Sequence, residues 1–244
     1  MLIGLTKLIM SILMSLRSKQ YRKERMNRLH QTARRHIAKH GVQGLQLKEL
    51  AKELGYTAPA LYRYYPSKEA LIVDLQKETL HIMRHSLHDF LTHFASSSSL
   101  VKLILCAKFY IGYAQNSPAS FALNNSVFSS TSVLLGGENR DAIIHAMRDV
   151  LLLIQEQIDQ INITESANTF THTMCFWSSL HGVLLTQKYK DDFYIPSPEH
   201  FVDTLLIGWG IPKSKIIEAQ QQIKHHCDDA TLVSFTSLDT KENP

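Results

Sequence analysis

Apolar residues recur three and four positions apart along most of the chain, and the phase of that stripe divides it into helices. Over residues 19–40 the stripe is Met26, Leu29, Ala33 and Ile37, with arginines on the other face, and Gly41 stops it. A second stripe, Leu47, Leu50, Ala51 and Leu54, predicts a helix of about two turns ending at Gly55, which takes a positive φ without a Cβ penalty. Thr57 then offers an N-cap oxygen and Pro59 suits a first turn, so "APALYRYY" predicts a third short helix that Pro66 ends. Ser67 caps a fourth, with Glu69 near its positive dipole end. Further helices are expected over about 100–115, 140–161, 165–188 and 198–209, with a short one at 216–224. The serine run 96–99 and the Ser/Asn-rich stretch 116–140 read as connections, and residues from 228 on as a polar, frayed tail. The chain is expected to be all-α.

The first sixteen residues, "MLIGLTKLIMSILMSL", are apolar at eleven positions. Lys7 interrupts them, and they fall short of the ~20 residues a spanning helix needs. A basic leader and a small-residue cleavage site are missing, so a signal peptide does not fit either. A non-native extension, an amphipathic helix packed on the body, and membrane association all stay open.

Composition adds little to class. Hydrophobic content of 44% and charged content of 20% are ordinary for a globular protein, and the scarcity of Gly and Pro favours helix. The three cysteines, Cys106, Cys175 and Cys227, are far apart, which suggests neither a disulfide framework nor a zinc site, and a reducing cytoplasm fits.

Charge changes the picture. Residues 17–68 carry thirteen Lys and Arg against three Glu, a net +10, whereas residues 69–244 carry a net −7. A basic module ahead of an acidic body is the electrostatic footprint of a nucleic-acid binder. Two short helices joined by a Gly-containing turn behind a basic supporting helix form a helix-turn-helix, whose second helix enters the major groove of double-stranded DNA. Thr57, Ala58, Pro59 and Ala60 are small enough to let the backbone approach base edges and thymine methyls. Tyr62, Tyr64 and Lys68 carry hydroxyls and a charge where phosphates pass, while Leu61 and Tyr65 point into the small core.

In "ARRHIAKHG" and "LQLKELAKELGYTAPALYRYYPSKEAL" the sequence resembles the TetR family of transcriptional regulators. The resemblance implies that Gln46, Lys48, Thr57, Pro59, Ala60, Tyr62, Tyr64 and Lys68 fall where such proteins touch DNA; Gln46 stands where Ser or Thr usually caps the second helix. It also implies a homodimeric regulator, a repressor of a palindromic operator, with a ligand-sensing body. The expected organisation is an apolar extension (1–18), the DNA-binding domain (19–68), a helical sensing and dimerisation domain (69–227) and the polar tail (228–244). A helix-turn-helix factor without small-molecule control is the rival reading.

In the body, "FWSSLHGVLL" places Trp177, His181 and Leu184 on one helix face. It resembles the Trp-x-x-x-His-Gly signature of one group of TetR-like C-terminal domains, which implies that residues 165–188 and 198–209 form a four-helix dimer interface with their mates. Phe109, Tyr110, Phe128, Met174 and Trp177, with Ser178 as a small wall residue and His181 beside them, are the candidate lining of a site for a small apolar or aromatic ligand; the same stripe equally suits a packed core. His81, His85 and His88, with Asp89, have a spacing that suits a transition metal, but a solvated face fits them better, so no metal or other cofactor is expected. H-E-x-x-H, G-x-S-x-G, P-loop and G-x-G-x-x-G patterns are all missing, so an enzyme is not expected.

Overall fold

The computed structural model describes the backbone of residues 2–129, 138–161, 163 and 168–240, all of it helix, turn or irregular chain. It divides into two compact units, Met1–Leu75 and Gln76–Pro244.

The first unit holds α1 (Leu2–His40), α2 (Leu47–Glu53), α3 (Ala58–Tyr62) and the start of α4 (Lys68–His93). The first helix runs on from the expected 19–40 back to Leu2, so the N-terminal extension is helical here. The apolar stripe is the core: Leu29, Ala33 and Ile37 of α1 are buried with Leu50, Leu61, Leu71 and Leu75. Each such leucine is worth roughly 1.5–3 kcal/mol in transfer energy, so these few side chains hold a small unit together. Polar ties fix the phase of the helices. Arg35 and His36 both reach Glu53, at 3.1 and 2.7 Å, linking α1 to the end of α2. The His36 hydrogen bond, with Coulombic help from His36 and Arg35, holds the Glu53 carboxyl below its usual range against a smaller desolvation effect. Nearby, the Tyr65 hydroxyl donates to Asp74 at 2.5 Å and lies 2.8 Å from His30 Nε2.

In the second unit α5 (Ser99–Asn116) is central, buried almost all round from Val101 to Tyr113 as a core helix must be. Against it pack α7 (Glu138–Gln160), α8 (Thr169–Thr186), α9 (Pro198–Gly208), α10 (Lys213–His226) and α11 (Asp229–Thr236). The stretch 116–140 is not a mere connection, because α6 (Pro118–Ser129) occupies half of it. Nor are residues 228–240 frayed. Asp228 caps α11 by accepting from Thr231 N at 2.8 Å, and the following 3-10 turn puts Leu238 into the core at 1% exposure. Ser117 bonds the Thr236 carbonyl at 2.7 Å, and the Asp239 carboxylate accepts from Ala119 N and Ser120 N, capping the start of α6. Among the described residues no helix is long and apolar enough to cross a membrane.

Candidate nucleic-acid interface and internal cavity

The turn between α2 and α3 is built by backbone rules. Gly55 sits at φ +70°, its N–H bonds Lys52 O, and Tyr56 N–H reaches back to Ala51 O at 2.8 Å. Thr57, in extended conformation, accepts from Ala60 N through its side chain at 3.3 Å, with Pro in the first turn of α3. Gln46, at the N-cap of α2, makes no side-chain cap hydrogen bond, so its amide stays at the surface. Gly44 is required for a different reason, since a Cβ there would collide with the His40 carbonyl oxygen.

Of the expected DNA contacts, Gln46, Lys48, Thr57 and Pro59 are exposed, and Ala58 and Ala60 are half-buried beside them. Tyr62 and Tyr64 are 41% and 39% exposed, unusual for aromatics in so small a unit, whereas Leu61 and Tyr65 are buried. Lys68 is half-buried, and its ammonium donates to Gln43 O at 2.6 Å, so it ties the start of α4 to the loop before α2. Sequence reasoning missed Arg25. Its guanidinium donates to the Tyr56 hydroxyl at 3.1 Å and lies 4.8 Å over the Tyr56 ring and 5.8 Å from that of Tyr64. The Tyr56 hydrogen bond raises its pKa further, so a fixed cation stands behind the exposed tyrosines. Its place one turn before the buried Leu29 was the available signal.

In the second unit, a cavity of about 30 Å³ opens among α4, α5, α6, α7 and α8, lined by Phe109, Tyr110, Asn124 and Trp177 with Met83 and Met147. A wider apolar groove of about 600 Å³ runs between α7 and α8, lined by Ile144, Leu152, Phe170 and Met174. Phe109, Tyr110 and Trp177 meet at the cavity, Met174 lines the groove, and His181 is buried beside Tyr110 and Trp177. Ser178 is exposed and lines neither space, because the inward phase of α8 is set by Trp177, Leu180 and His181. Phe128 lies outside the described side chains. The contributions of α4 and α7 went unforeseen, since their stripes read as ordinary core.

Burial pushes the Tyr110 hydroxyl far up, partly opposed by a hydrogen bond from Trp177. The Tyr110 oxygen also lies 2.6 Å from His181 Nδ1, and Trp177 stacks on His181 at 5.1 Å. Burial lowers the His181 pKa and so favours its neutral ring. Cys106, also in the lining, has its thiol pushed up to about 12 by burial. His81 and His85 pack edge to face at 4.2 Å, and among the described residues no three ligating side chains gather in a metal-binding group.

Residues 29–75 match the family model described as bacterial regulatory proteins, tetR family. No curated protein matches the sequence. Solved structures do match in fold. A protein of unknown function from Rhodococcus sp. RHA1 is 17% identical with a TM-score of 0.61, over 75% of this chain and 94% of that one. The transcriptional regulator FadR from Bacillus subtilis, solved with stearoyl-CoA, is 16% identical with a TM-score of 0.57, over 74% and 95%. FadR from Bacillus halodurans, a fatty acid degradation regulator, is 18% identical with a TM-score of 0.52, over 72% and 93%. Residues 29–75 are therefore similar to the tetR family of bacterial regulatory proteins, and the described residues share the all-α fold of the FadR structures.

Proposed function

We propose that the protein is a ligand-responsive transcriptional repressor that binds a palindromic operator in cytoplasmic double-stranded DNA as a homodimer. The observation that carries this is the first unit: a capped α3 showing Thr57, Pro59, Tyr62 and Tyr64 to solvent, within a segment of net charge +10. Phosphate neutralisation by that charge supplies affinity, and the small N-terminal residues of α3 read shape and methyls. Exposed Leu185 of α8 and Phe201 and Ile207 of α9 support a dimer through those helices, since exposed large apolar side chains call for cover. A ligand that favours one spacing of the two reading heads would release DNA, and DNA would weaken the ligand by the same factor. That one FadR was solved with stearoyl-CoA supports a sensing body.

The rival, a DNA-binding factor without ligand control, has one observation in its favour: the inner cavity, at about 30 Å³, holds little more than water in the form described. Selection of bound sequences from random DNA, followed by footprinting and a screen for compounds that release the complex, decides between them. Palindromic sites released by a compound fit the proposal; palindromic sites released by none favour the rival, and asymmetric single half-sites overturn the dimer.

A further inference from the structure

The inner cavity and the α7–α8 groove share two wall residues, Met147 and Leu151. A molecule lying in the groove is thus separated from the interior by a flexible thioether and a leucine, side chains that change rotamer at low cost. At the inner end Asn124 is 5% exposed; its Nδ2 donates to the Tyr113 hydroxyl at 2.9 Å, while its buried Oδ1 accepts no hydrogen bond among the described residues. A buried acceptor left this way costs roughly 1–3 kcal/mol, a cost that a donor arriving in the cavity removes. The other polar groups of the lining are committed or neutral: the Tyr110 hydroxyl is engaged with His181, and the Cys106 thiol keeps its proton. The described lining carries no charged side chain, and Arg148 stands only at the groove.

Resting on the reading of the second unit as a sensor, we infer that groove and cavity form one path, closed at Met147 and Leu151, for an elongated uncharged apolar molecule whose leading end carries a hydroxyl or N–H. That end donates to Asn124 Oδ1, making Asn124 the residue that selects the ligand class, and the apolar tail lies along Phe170 and Met174 in the groove. A carboxylate or phosphate led inward would meet an acceptor instead of a donor and would lose its hydration with no cation to replace it.

The test uses the full chain with four probes of one chain length: 1-decanol, decane, decanoate and decanoyl-CoA, measured by calorimetry and by thermal shift. The inference expects 1-decanol to bind about tenfold or more tighter than decane, the size of one satisfied buried acceptor. Asn124→Leu abolishes that preference, and Met147→Trp, which fills the junction, weakens 1-decanol about tenfold or more. Should Asn124→Leu fail to fold, the decanol-to-decane ratio of the parent and the Met147→Trp result decide alone. Equal affinity for decanol and decane, or unaltered decanol binding in Met147→Trp, overturns the inference. Operator release by decanoyl-CoA or decanoate without decanol binding also overturns it but leaves the sensing function standing. Operator binding that responds to none of the four, nor to a broad compound screen, overturns the sensing reading itself.

Discussion

Two lysines expected at phosphates sit in different surroundings. Lys48 is exposed, whereas the Lys68 ammonium holds the Gln43 carbonyl. Lys48→Ala should therefore weaken binding to all DNA sequences about equally and reduce the salt slope by about 1, read from titrations at several salt concentrations. A loss confined to one sequence would show that it reads bases. Lys68→Ala should in addition lower the melting temperature, because the loop before α2 loses its tie. The glycines separate two physical demands. Gly55→Ala meets no atom but must hold φ +70°, costing about 1–2 kcal/mol, and Gly55→Asn should recover part of it; Gly44→Ala meets the His40 carbonyl and should cost more. Denaturant melts check the order. At this scale Thr57 was legible because capping is a local rule, while Ser178 was misplaced because one position along a helix turns a side chain by about 100°.

Elements were legible where one face alone is apolar. The stripes of α1, α2 and α9 announce themselves, and Gly41 and Gly55 mark the ends of the first two. In α6 the buried positions include Ser120, Asn124 and Ser126, so its inward face reads as polar sequence, and only Pro118 at its start betrays a helix. The α11 segment read as a frayed tail, because the burial of Thr236 and Leu238 that anchors it depends on partners about 120 residues away, which no local pattern encodes. The same geometry makes a prediction. Asp239→Asn weakens the cap on Ala119 and Ser120, and Gly112→Ala places a methyl 3.1 Å from Thr236 Cγ2. Each should lower the melting temperature of the second unit by a change worth about 0.5–2 kcal/mol, with no effect on a reporter of the first unit's folding.

For the molecule as a whole, charge asymmetry along the chain pointed to DNA before any motif did, while the identity of the cavity walls needed five helices brought together. Acid sensitivity follows from two histidines of the second unit. Burial lowers the pKa of His181, and burial, then His85 and Arg84, lower that of His81. Between the ordinary value of 6.5 and those lowered values the unfolded chain binds protons that the native state refuses, so stability is full above about pH 6.5 and falls as the pH drops. Thermal melts at pH 7.5 and 5.5 should show the loss, and His181→Gln should flatten it. Time during synthesis adds another consequence. Ser117 and its partners at 236–239 are 119 to 122 residues apart, so at roughly 5–20 residues per second the ribosome supplies those partners about 6–24 s after Ser117 itself. The first unit, complete by Leu75, has its whole core in hand well before then, while the nascent second unit must keep the start of α6 uncapped and apolar surface such as that awaiting Leu238 uncovered. That interval, more than the finished fold, is when the body is open to proteases and chaperones.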